Sequence, residues 1–68
     1  MESELTRLDT LLDYTLEHNK EHADDLKNLA QKAKELGKIA VHDDIAKGVE
    51  QMNRANEILE NALKRLRQ

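Results

Sequence analysis

In Leu26-Lys27-Asn28-Leu29-Ala30-Gln31-Lys32-Ala33-Lys34-Glu35-Leu36-Gly37, apolar side chains fall at positions 26, 29, 33 and 36, and the run stops at a glycine. Alternating steps of three and four keep one face of a helix apolar. A glycine directly after the last apolar position suits a left-handed helix cap, and Lys32, Lys34 and Lys38 suit the negative end of the helix dipole. The same phase runs backwards through Leu12, Leu8 and Leu5, which predicts one helix over about 3–36. With Leu5 at heptad position a, the a series reads Leu5, Leu12, Asn19, Leu26 and Ala33, and the d series Leu8, Thr15, His22, Leu29 and Leu36. The stripe is apolar at both ends and polar in its middle.

After Gly37, a turn at about 37–40 leads into a second helix over about 41–67. A start near His42 would put Asp43 and Asp44 in the first turn, where acids are favoured. Its seam reads Ile45, Met52, Leu59 and Leu66, flanked by Val41, Gly48, Ala55 and Ala62 on one side and by Val49, Asn56 and Leu63 on the other. The chain therefore reads as a single all-α domain, residues 1–68, folded as an antiparallel two-helix hairpin. A register that sets Ala23 beside Ala55, Ala30 beside Gly48 and Ala33 beside Ile45 permits close approach, and it also sets His22 beside Asn56. Gly48, which costs about 1 kcal/mol relative to Ala inside a helix, is expected to mark a tight crossing.

A chain of 68 residues has a thin core, because small domains bury only about 60% of their unfolded surface. Without cysteine, no disulfide or thiolate cluster compensates. A lone hairpin would also leave Leu11, Leu16 and Leu29 on one helix and Val49, Ile58 and Leu63 on the other in need of cover. Dimerisation into a four-helix bundle supplies it. A homodimer is the expected partner state, with a separate protein partner as the alternative.

Charged residues make up 37% of the chain at a net charge of −3. Tyr14 is the single aromatic side chain, so the stacking platform and basic patch of a nucleic-acid binder are not expected. The longest apolar stretch, Ile39-Ala40-Val41, is too short for a membrane span or a signal-peptide core. A soluble, cytoplasmic protein is the expectation. Acids concentrate in the first 25 residues and bases in the rest, which favours antiparallel pairing and suits the dipoles: Glu2 and Glu4 open the first helix, and Lys64, Arg65 and Arg67 close the second.

His18, Glu21, His22 and Asp25 stand at i, i+3, i+4 and i+7, a contiguous patch on one helix face. Two imidazoles one turn apart can hold one ion without distorting the helix, and carboxylates nearby can complete or orient the shell. Nitrogen and oxygen donors without thiolate suit nickel, zinc, cobalt or copper(II), and affinity order alone does not choose among them. Enzymatic chemistry is not expected. The zinc-protease pattern needs an acid directly after the first histidine, where Asn19 stands, and the Glu-x-x-His pairs of di-iron bundles are missing because Thr15 and Asn19 precede the two histidines by three. His42 belongs to the far end of the hairpin, roughly 20 Å from His22 at 1.5 Å per residue, and is expected to be a solvated helix start. Met52 reads as core filler rather than a copper ligand.

Tyr14, His18-Asn19, His22-Ala23, the Gly37 break and Ala55-Asn56 together resemble a family of short two-helix domains with a His-Asn-x-x-His-Ala signature. The likeness extends over nearly the whole chain, although Tyr14 stands where the family carries a larger aromatic. It implies metal handling, of nickel or cobalt, and implies that His18, Asn19, His22 and Asn56 act as a set.

Two functions follow as expectations. The first is a metal-binding protein for storage, delivery or sensing, using His18 and His22 with Glu21 or Asp25, whose binding should fail as pH falls through the imidazole range near about 6.5. The second is a structural or adaptor hairpin in which a buried layer of Asn19, His22 and Asn56 specifies dimerisation or a partner helix. Binding of a small ligand or peptide in the bundle groove has no dedicated signal.

Overall fold

A computed structural model describes residues 3–68 of the chain. Helix α1 spans Glu4–Glu35 and helix α2 spans Ile39–Leu66, and among the described residues there is no strand. At the start of α1 the Ser3 hydroxyl accepts a hydrogen bond from the Thr6 N–H at 3.1 Å. It thereby satisfies one of the donors that a helix start leaves free. Glu4 is the acid of that first turn, while Glu2 lies outside the described residues.

Gly37 has φ 78°, a conformation that only glycine adopts without strain. Its N–H donates to the Lys34 carbonyl at 3.0 Å, and the Lys38 N–H donates to the Ala33 carbonyl at 2.8 Å. This pair of bonds closes α1 with a left-handed cap that satisfies two of its last carbonyls. The reversal takes so few residues that α2 resumes at Ile39, and the His42 N–H already donates to the Lys38 carbonyl at 3.0 Å. The expected start near His42 is therefore too late. Asp43 and Asp44 fall beyond the first turn, which holds no acid.

The core lies along one seam between the helices. On α1 it buries Leu16, Ala23, Ala30 and Ala33, with Leu12, Asn19 and Leu26 half-buried; on α2 it buries Val49, Asn56 and Leu63, with Ile45, Met52, Leu59 and Leu66 half-buried. The expected a series of α1 thus faces α2 only in company with the residues four positions on, not three. Leu8, Thr15, His22, Leu29 and Leu36 are exposed. Two phases were open to the sequence, and packing chose the one that avoids desolvating Thr15 and His22 while bringing small Ala23 and Ala30 between the helices.

The small flank expected to face α1 is likewise exposed at Val41, Gly48, Ala55 and Ala62. Gly48 marks no tight crossing in the hairpin: a Cβ placed there would meet nothing within 4 Å.

Ion pairs fasten the other side of the seam. Lys20 meets Glu60 at 2.8 Å, and Arg67 grips Asp9 through two bonds of 2.8 and 2.9 Å, with Asp13 at 3.7 Å. These contacts bring the acidic start of α1 against the basic end of α2, in an antiparallel register. The Arg67 guanidinium holds the Asp9 carboxyl below its ordinary range, and the Lys20 ammonium does the same for Glu60. A carboxylate with a depressed folded-state pKa stabilises above its unfolded value and loses that contribution as pH falls through the lowered one. Acidification below about pH 4 is accordingly expected to loosen the terminal end of the hairpin first. Amide hydrogen exchange at residues 9–13 and 63–67, compared between neutral and acid pH, checks this; exchange that rises equally at the Gly37 end would contradict it.

The hairpin is 54 Å long and 11 Å across its thinnest direction. It is a single layer of two helices. No described helix is long and apolar enough to cross a membrane.

Candidate metal centre

The rise of α1 places His18 and His22 one turn apart on the same face, and their Nε2 atoms lie 2.9 Å from each other. The rings are perpendicular, with centroids 4.4 Å apart. A neutral pair at this distance shares one proton, with one ring donating from Nε2 to the lone pair of the other. The geometry also suits a metal. Two nitrogens at 2.0–2.1 Å from one ion and at right angles to each other, as in square-planar coordination, lie about 2.9 Å apart.

Tyr14 extends the arrangement by one more turn. Its ring stacks on His18 with centroids 5.9 Å apart and planes inclined by 12°. Stacking restricts the rotation of His18 and so holds its Nε2 toward His22. The signal that would have found the role of Tyr14 is the spacing of four in Tyr14, His18 and His22.

The other expected members are placed differently. Neither Glu21 nor Asp25 joins the imidazoles, since no group of three or more His, Cys, Asp or Glu side chains placed to hold a metal occurs among the described residues. Both histidines are exposed rather than turned into the seam. The expected convergence of His22 with Asn56 is therefore overturned: Asn56 is buried at 5% exposure and its Nδ2 has no hydrogen-bond partner, while Asn19 is half-buried beside the same seam. The reason is rotational. Asn56 shares the phase of Val49 and Leu63, which face α1, whereas His22 lies on the flank that faces away from α2.

An unpaired buried donor costs roughly 1–3 kcal/mol. Asn56→Leu is therefore expected to stabilise the hairpin by up to about that amount, measured as a higher urea midpoint with unchanged slope. A lower midpoint would show that the amide is paired in solution.

His42 lies at the turn end of the molecule, with its Nδ1 bonded to Asp43 at 3.0 Å. It belongs to an open groove of about 370 Å³, on the ion-paired side, whose polar lining includes Lys27, Gln31, Glu50 and Asn53. That groove does not reach the histidine pair of α1.

Comparison with curated proteins returns no match, and comparison with solved structures returns none either. A family model described as a domain of unknown function (DUF8180) matches residues 8–66, which include both helices, the Gly37 turn and the histidine pair. The chain belongs to this family of small domains.

Proposed function

We propose that the protein is a small cytoplasmic metal-binding protein that holds a divalent transition ion through the Nε2 atoms of His18 and His22. The observation that supports this reading is their 2.9 Å convergence, the separation of two neighbouring ligands on one ion. Helix α1 supplies rigidity, and Tyr14 fixes the orientation of His18. In the metal-free protein the two nitrogens satisfy one another with a shared proton; an incoming ion takes both Nε2 lone pairs once that proton leaves Nε2 and the donating ring adopts its Nδ1–H tautomer. Glu21 and Asp25 lie within about one turn of the pair and add negative charge that attracts cations. Nickel, zinc, cobalt and copper(II) all suit imidazole. Nitrogen-15 spectra of the histidine rings during zinc or nickel addition test the proposal. His18 and His22 should shift together at Nε2 while His42 stays unmoved; uniform broadening of all three rings, or no change at His18 and His22, would reject it.

A structural role is favoured by a separate observation, the row of exposed leucines that shares the face of the pair. It bears on assembly rather than on chemistry, and the two readings are compatible.

A further inference from the structure

The cross-helix ion pairs of the described residues all lie on one side of the seam. The other side carries most of the exposed large apolar side chains. There α1 exposes Leu8, Leu11, Leu29 and Leu36, each at least half exposed, and α2 exposes Val41 and Ile58. These residues follow a second heptad stripe on α1, displaced around the helix from the seam, running Leu8, Leu11, Thr15, His18, His22, Asp25, Leu29, Lys32, Leu36. His18 and His22 straddle the midpoint of α1, which spans Glu4–Glu35. The stripe is polar from Thr15 to Asp25, and Lys32 separates Leu29 from Leu36.

The size of the uncovered surface says how much must be hidden. The chain exposes 5634 Å², whereas a folded monomer of 7.8 kDa exposes about 4,400 Å². The excess of roughly 1,200 Å² is larger than the ~800 Å² that each partner contributes to a standard stable interface. The radius of gyration, 15.8 Å, likewise exceeds the ~11 Å of a compact domain of this length. One layer of helices needs a second to close its core.

We infer that the second layer is another copy of this chain, related by a twofold axis that crosses the hairpin at the level of His18 and His22, and that the metal centre is shared between the two copies. The inference rests on the histidine-pair reading above. Self-complementarity argues for this occupant over another protein. Such an axis runs α1 antiparallel against the partner's α1, sets Leu11 against the partner's Leu29 and Leu29 against the partner's Leu11, and brings His18 to the partner's His22. Leucine meets leucine on either side of the imidazoles, imidazole meets imidazole in the middle, Thr15 faces the partner's Asp25, and the partner's Lys32 lays its methylene stem along Leu8. Gly48, for which the hairpin itself has no packing need, opens with Ala55 on the same side, where the absence of bulk lets the copies approach. Two pairs supply four nitrogens, a full set for one four-coordinate ion, and the 2.9 Å within each pair is the spacing of a square-planar one. A single chain supplies two.

Sedimentation equilibrium and zinc titration of the full chain test this together. The expected results are a mass twice that of the chain at tens of micromolar and one zinc bound per two chains. Leu29→Glu should give a monomer that binds zinc at least tenfold more weakly, while Lys27→Glu, on the ion-paired side, should remain a dimer with unchanged stoichiometry. A monomeric wild-type chain with zinc bound overturns the self-association. A dimer with one zinc per chain overturns the shared centre and leaves the single-chain pair standing as the site. A dimer in which zinc binding is absent, or survives His18→Ala and His22→Ala together, overturns the shared centre and the histidine-pair reading with it. If Leu29→Glu loses its helical circular dichroism, Leu11→Glu mixed with wild type provides the second reading: exclusion of the variant from the dimer supports the interface, and free exchange into it overturns it.

Discussion

His22→Ala is expected to weaken zinc or nickel binding by more than about 100-fold, beyond the 10–100-fold typically lost when only an outer partner of a metal ligand is removed. The reason is that each chain contributes two nitrogens of one helix, so loss of either halves the donor set and leaves one exposed imidazole per chain. Such a ligand has no advantage over any surface histidine, including His42. His18→Ala should be equally damaging. Tyr14→Leu removes the ring stacked on His18 without removing a ligand, and its cost should fall inside the 10–100-fold range. All three residues are exposed, so helicity should stay at the wild-type level, and a loss of binding cannot be ascribed to unfolding. Isothermal titration calorimetry with circular dichroism on the same samples provides the check. Wild-type affinity in either alanine variant would end the metal assignment.

Leu16→Ala is expected to be the most destabilising simple truncation in the hairpin. Leu16 is 3% exposed and is the one large buried side chain that α1 contributes to the seam, its other buried residues being Ala23, Ala30 and Ala33. Removing it takes away buried apolar surface and leaves a void between two helices that alanines already hold close, a loss of about 2–5 kcal/mol. A chain of 68 residues has roughly 3–10 kcal/mol in total at about 0.05–0.15 kcal/mol per residue. The variant should therefore lose a large share of its stability, and a urea titration of ellipticity measures the shift directly. Leu29→Ala makes the contrast within one hairpin, because Leu29 is 56% exposed there. A dimer-dependent loss of stability in Leu29→Ala, growing with protein concentration, would locate Leu29 in the second interface.

Leu26 to Gly37 shows how far the reading from sequence could go. The three-four spacing, the glycine after Leu36 and the lysines beside it announce a helix and its stop because each acts through the local backbone: periodicity through the rise of the helix, glycine through its freedom at positive φ, lysine through the nearby carbonyls. The histidine pair was legible for the same reason, since i and i+4 on one helix are neighbours whatever surrounds them. Tyr14 joins them by that same rule.

Local rules fail at Leu8, Leu29, Val49 and Asn56. An apolar stripe wider than one seam offers α2 two rotational settings, and the spacing of leucines does not distinguish them. The heptad assignment took the phase through Thr15 and His22; the hairpin uses the phase through Leu16 and Ala23. That shift decides which polar groups are buried, and it separates Asn56, left inside with an unpaired Nδ2, from His22, left outside beside His18. It likewise removes any intramolecular reason for Gly48.

The sequence by itself determined two helices, their glycine-capped reversal and the one-turn spacing of two imidazoles, because these depend on interactions between residues at most a few positions apart. Only the tertiary structure decided which flank of each helix is buried, because that choice balances alanine-mediated close packing and the Asp9–Arg67 and Lys20–Glu60 ion pairs against the cost of desolvating polar side chains, all between residues far apart in the chain. The outcome leaves the histidine pair on an uncovered apolar face.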